Sequence, residues 1–296
     1  MSDTKCAPSK KYKDGSCFTY DILQKMVIQY NKKIKNPSEH LDYNEPKPVL
    51  VKVIKEKLSN KCDNQICWLR ELIVDKIVNK QILNSTFRPE GPEGKYDWLS
   101  TVDINKVLNQ YTDVYNDFSY LGTLPYDFES LKILELHHKD LFDKYYNKGK
   151  TKLAMVINLD THDMNGSHWV ALYTDLKNKL VYFSDSGGVG PGIRIRKFIN
   201  RIVKFIYNKM YPDDNLDINK ILNLVKKKKN HNVLKKIMNI DIKYNNIQHQ
   251  FNNSECGVYS INFITRLLAG EKQEDIINNV IKDEEMNKYR KLYFRN

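Results

Sequence analysis

The chain has 296 residues, with hydrophobic residues at 41%, aromatics at 11% and charged residues at 28%, the balance of a folded chain with a sizeable core. It carries 48 Lys and Arg against 36 Asp and Glu, a formal net charge of +12, which favours acidic partners such as nucleic acid or an anionic surface. No apolar run approaches the roughly 20 residues of a membrane helix, and the polar, lysine-bearing start has no signal-peptide core. A soluble protein made in a reducing compartment is the expectation. Its five cysteines, an odd number, fit no disulfide framework. A metal site built from Cys62, Cys67, Cys6 and Cys17 would lack the paired C-x-x-C spacing of structural zinc, so no metal is expected.

The first 16 or so residues form a polar tail. Apolar periodicity then predicts a helix from Phe18 to about Ile34, a polar linker to Pro48, and two more helices, Val49–Leu58 and Gln65–Val78. These make a small helical N-terminal arm, residues 1–90, that carries no recognisable chemistry. Pro89, Gly91, Pro92 and Gly94 mark a boundary, and residues 91–296 form the second domain. A helix opens near Trp98 and runs to about Gln110, with Ser100 or Thr101 as its N-cap. Irregular and helical pieces continue to about Asn147.

Three short runs rich in Val, Ile, Tyr and Phe follow, at Lys152–Leu159, His168–Thr174 and Lys179–Ser184. Each is bounded by polar turns and predicts a strand. The Gly-rich stretch Gly187–Gly192 lacks the Lys-Ser/Thr ending of a phosphate loop and is expected to be a turn. A long helix follows it, with Ile195, Phe198, Ile199, Ile202, Val203 and Ile206 on one face. A basic segment from Leu216 to about Asn239, containing Lys226–Lys229, is expected to be helical, and such a lysine run usually forms a solvated face. A short strand, Ile240–Tyr244, comes next, and helical patterns close the chain at Glu274–Ile281 and Asp283–Leu292.

The chemistry concentrates near Cys256. An amphipathic helix starts directly after it, with Val258, Ile261, Ile264 and Leu268 at helical spacing. Cys256 therefore sits at a helix N-terminus, where unpaired backbone N–H groups favour a thiolate. Alone, such a cysteine is more often a small packing residue. Two upstream residues change the balance. In the hairpin of the second and third strands, pairing Tyr173 with Leu180 sets His168 opposite Asp185, with Cβ atoms about 4.5–5.5 Å apart. Asp185 would orient His168, and His168 would take the thiol proton of Cys256. The amide of Gln250 could donate to a developing oxyanion beside the Cys256 N–H.

His168-Trp169, Asp185, Gln250 and Cys256-Gly257, in this order and at these intervals, resemble the signature of the papain-related SUMO-protease type. The adenovirus protease has a similar arrangement. The likeness is strongest to the polyprotein proteases of large cytoplasmic DNA viruses, of the African swine fever virus kind, which also carry an N-terminal helical arm. The resemblance covers about Trp98 to the C-terminus. It implies an α+β, papain-like fold with a mixed central sheet packed by helices, and the cysteine helix at its centre. It implies a Cys-His-Asp triad of Cys256, His168 and Asp185, an oxyanion hole at Gln250, and no cofactor. Trp98 and Trp169 match the two tryptophans that close over a Gly-Gly segment in SUMO proteases.

The expected function is a cysteine endopeptidase that cleaves after Gly-Gly in viral structural polyproteins during virion maturation, in the host cytoplasm and virion. Two alternatives stay open: an isopeptidase acting on SUMO or ubiquitin conjugates, and a non-enzymatic basic virion protein that binds nucleic acid. A protease could itself make weak nucleic-acid contact through its lysines.

Overall fold

The computed structural model describes residues 12–62, 65–72, 88–212 and 239–294. The expected tail up to residue 11, any helix beyond Leu72, and the basic run at Lys226–Lys229 lie outside the described residues. The chain divides into two compact units, Met1–Gly91 with Lys291–Asn296, and Pro92–Arg290.

In the first unit, α1 (Tyr20–Lys33), α2 (Lys47–Leu58) and α3 (Gln65–Leu72) follow the predicted helices. Thr19 caps α1 by accepting the Ile22 N–H. Phe18, Leu23, Met26, Leu50, Ile54 and Leu69 bury one face of each helix in a shared core. The cysteines correct the sequence expectation. Cys62 and Cys67 are bridged, with Cα atoms 5.5 Å apart, and Cys17 is also disulfide-bonded. Cys62, just past the end of α2, and Cys67, in the first turn of α3, are brought together by the short connection between the helices. Bridged sulfurs are unavailable as metal ligands. Cys256 is the free cysteine among the described residues.

The second unit is built on a mixed five-stranded sheet in the order β1 (Phe118–Leu124), β2 (Lys152–Asn158), β3 (Trp169–Asp175), β4 (Leu180–Ser184) and β5 (Asp241–Tyr244). The outer pairs, β1–β2 and β4–β5, are parallel; β2–β3 and β3–β4 are antiparallel. β1 is absent from the sequence expectation. A register irregularity between Tyr120 and Thr123, with Gly122 at φ 123, breaks the alternation that would have announced it.

The β3–β4 register also differs from expectation. Asp175, not Tyr173, faces Leu180, and Tyr173 faces Tyr182. The loop falls one residue later than predicted, at 176–179, where the Asp175 carboxylate accepts the N–H groups of Lys177 (3.1 Å) and Asn178 (2.9 Å), and Lys179 takes φ 61. The pairing is thus displaced by two residues, and side chains return to the same face after two residues. His168 and Asp185 therefore stay on one face, as diagonal rather than direct neighbours.

Both sheet faces are covered. Val170 and Leu172 join Leu153, Met155, Ile157 and Phe183 in a core with α6 (Ile193–Met210), through Ile195, Phe198, Ile199 and Ile202. Before it come α4 (Thr101–Val114) and α5 (Leu141–Tyr146). A capping box of Ser100 and Asp103 starts α4, so Trp98 and Leu99 lie ahead of the helix. The helix α7 (Cys256–Leu268) packs on β3. Every residue of it except Arg266 is buried, as expected of a helix clothed by the core on all sides. Two short helices, α8 (Gln273–Asn278) and α9 (Asp283–Lys288), follow.

Candidate active site

Cys256 is the first residue of α7 and only 3% exposed. No side chain caps this helix start, so its free N–H groups and positive end of the dipole face the thiol's surroundings. Gly257 leaves room next to it. A Cβ there would meet the Leu99 Cβ at 3.0 Å and the Ile104 side chain at 3.3 Å. The glycine lets the segment bearing Trp98 and Leu99 close onto the cysteine helix.

His168 precedes β3 and Asp185 follows β4. The His168 Nε2 lies 2.7 Å from the Asp185 Oδ1. Asp185 is buried, and the same oxygen accepts the Gly187 N–H at 2.8 Å. With Nε2 engaged, Nδ1 is left for the sulfur, and Cys256 acts on the proton affinity of His168 together with Asp185. Burial disfavours the imidazolium, but the hydrogen bonds and charges of Asp185 and Cys256 outweigh it, and the His168 pKa is pushed up to about 10. The three residues converge, and the arrangement can hold a thiolate beside an imidazolium.

Gln250 is buried as well. Its Oε1 accepts from the Ser186 hydroxyl at 2.6 Å, and its Nε2 donates to the Asn252 carbonyl at 2.6 Å. This leaves one amide proton for another acceptor. The Ser186 carbonyl in turn accepts the N–H groups of His249 (2.8 Å) and Gln250 (3.0 Å). The turn holding Asp185 thereby carries the Gln250 loop. Gly188 at φ 75 closes that turn, and a Cβ there would lie 2.9 Å from the Gln248 nitrogen. Ser186 is absent from the sequence reading; its adjacency to Asp185 was the available signal.

The two tryptophans differ. Trp169 is 8% exposed, and its indole N–H donates to the Leu99 carbonyl at 2.9 Å. Trp98 is 52% exposed. Both line a groove of about 500 Å³ with Leu124, Pro125, Asp160 and Met164. His162 also lines it and places Nδ1 2.6 Å from the Asp127 Oδ2. This second His–Asp pair has no free thiol to activate, since Cys256 is the free cysteine among the described residues. Among those residues no group of His, Cys, Asp and Glu could hold a metal ion, and no helix is long and apolar enough to cross a membrane.

Residues 138–296 match the C-terminal catalytic domain of the Ulp1 protease family. A protein of Acanthamoeba polyphaga mimivirus, assigned as a thiol protease, is 31% identical over 98% of this chain and 93% of its own length. A SUMO-1 cysteine protease of African swine fever virus is 24% identical over 83% of this chain and 88% of its own. The crystal structure of an African swine fever virus protease superposes with a TM-score of 0.52 at 19% identity, covering 87% of this chain and 94% of that one. The fold is therefore the one expected, a mixed sheet with helices on both faces. The chain belongs to the Ulp1 protease family and is a cysteine protease.

Proposed function

We propose that the protein is an endopeptidase that cleaves after Gly-Gly in viral structural polyproteins. The observation that carries the chemistry is the partly buried His168 imidazole paired with the buried Asp185 and acted on by Cys256. The Cys256 thiolate would attack the scissile carbonyl carbon. The oxyanion would be met by the Cys256 N–H and the remaining amide proton of Gln250. His168 would give its proton to the leaving amine as the C–N bond breaks, leaving a thioester. It would then take a proton from water, whose oxygen attacks the thioester and releases the thiolate. Asp185 would hold the ring throughout.

The groove bordered by Trp98 and Trp169 supports the diglycine preference, because flat aromatic walls admit a glycine backbone and exclude larger side chains. Polyprotein processing would be carried out in the host cytoplasm and virion, and we assign residues 1–90 as the arm domain and 91–296 as the protease domain. The name of the African swine fever virus relative supports a second reading, an isopeptidase acting on SUMO-like conjugates. Wild type should release a Gly-Gly terminus from candidate capsid polyproteins, and Cys256→Ala should release none. Release from a SUMO conjugate but from no polyprotein would favour the second reading. Retained cleavage by the alanine variant would remove both.

Weak nucleic-acid contact is supported by α6, whose 18 residues include no Asp or Glu. Arg194, Lys197 and Lys204 are exposed on it at helical spacing. Binding through them should weaken steeply with salt; DNA affinity unchanged between about 50 and 200 mM salt, the range over which phosphate contacts are normally lost, would contradict the contact.

A further inference from the structure

Asp283, Asn287 and Arg290 recur at i, i+4 and i+7, the spacing of one helical face. Asp283 and Asn287 lie in α9, and Arg290 opens the four-residue helix Arg290–Tyr293 that follows it. All three are buried, and all three grip the segment leading to Cys256. The Asp283 Oδ2 accepts the N–H groups of Phe251 (2.9 Å) and Asn252 (3.1 Å). The Asn287 amide donates to the Glu255 Oε1 at 2.9 Å. Arg290 holds the Glu255 carboxylate with Nε (2.9 Å) and Nη2 (3.1 Å). Glu255 is 1% exposed and immediately precedes Cys256.

The same two side chains reach the opposite wall. The Asn287 amide also donates to the Lys95 carbonyl at 2.7 Å, and the Arg290 Nη2 to the Asp97 carbonyl at 2.7 Å. Asp97 is the residue before Trp98. One guanidinium and one amide therefore bind both the residue ahead of the thiol and the strip ahead of the groove tryptophan. A hollow of about 350 Å³, lined by Tyr96, Trp98, Ser254, Glu255 and Asp283, lies between these strips.

We propose that Arg290 and Asn287, acting through Glu255, are positioning residues that set the separation of Cys256 from the Trp98 wall. A buried carboxylate is costly unless fully paired, so Glu255 has one stable placement, and the thiol that follows it inherits that placement. The Arg290 fork matters as geometry as well as charge, since Nε and Nη2 hold the two carboxylate oxygens side by side, a planar two-point grip that a lysine ammonium does not reproduce. The part concerning Trp98 rests on the diglycine reading above; the part concerning Cys256 does not.

The test uses the full chain with Arg290→Lys, Glu255→Gln and the double variant, each checked for folding by its melting curve. Two rates are read: turnover of a Gly-Gly peptide, and alkylation of Cys256 by iodoacetamide. The expected result for folded Arg290→Lys is a kcat about 100-fold lower, the scale of an ångström-level misplacement, with a higher KM and slower alkylation. The double variant should lose no more than Arg290→Lys alone, because the pair acts as a unit. If Arg290→Lys does not fold, Asn287→Ala is read in the same way. A folded variant with wild-type kcat, KM and alkylation rate would overturn the inference, as would losses that multiply in the double variant. If wild type cleaves no Gly-Gly peptide, the diglycine reading fails while alkylation still decides the role at Cys256.

Discussion

His168 is the residue on which pH dependence turns. Its folded pKa of about 10 lies above the ordinary value of 6.5, because the hydrogen bonds and charges of Asp185 and Cys256 outweigh burial. A raised pKa means that the folded state binds the proton more tightly than the unfolded state. The stability this contributes is complete below pH 6.5 and is lost as pH rises toward 10. The melting temperature of wild type should therefore exceed that of His168→Gln most clearly near pH 6. The gap should narrow steadily by pH 10. A gap that widens with pH would mean that the imidazole is held neutral, and that the carboxylate does not govern it. The residue scale is also where the sequence was most legible. His168 and Asp185 were picked out together by their places at two strand ends, and they pair at 2.7 Å.

At the scale of elements, the turn after β4 is the part that joins the His–Asp pair to the Gln250 loop. Ser186 contributes a hydroxyl to the Gln250 amide oxygen and a carbonyl to two backbone N–H groups. Ser186→Ala removes only the first. The amide would then be free to turn, and its remaining proton would no longer be aimed. Loss of a full oxyanion donor, as in Gln250→Ala, is expected to lower kcat about 100- to 1000-fold; Ser186→Ala should fall between that and wild type, with KM nearly unchanged. Equal kcat for Ser186→Ala and wild type would show that Gln250 needs no such support. The partners of Ser186, Asn287 and Arg290 were not legible in the sequence, because they lie 64, 32 and 35 positions away. The hairpin shows the other kind of error. Asp175 folding back on its own loop moved the turn one residue along the chain and displaced the register by two residues. The face assignment survived because a displacement of two preserves it. β1 was lost to the irregularity at Gly122, where the expected alternation stops.

At the scale of the whole molecule, the cysteines separate by role. Counting to five suggested no pairing, yet Cys62 and Cys67 are bridged and Cys17 is disulfide-bonded, within the unit built from α1 to α3. An odd count is what results when paired cysteines coexist with one free thiol, and Cys256 is the free thiol among the described residues. Pairing depends on which chain ends the helices bring together, which spacing alone does not reveal. This division also makes a direct measurement clean. The protein is incubated with a diglycine peptide ending in an electrophile that traps thiolates, then digested and mapped by mass spectrometry. The account predicts a single adduct on Cys256, formed by folded wild type, slowed severely by His168→Gln and absent after denaturation. An adduct on another residue, or one that forms at the same rate without His168 or without the fold, would contradict it.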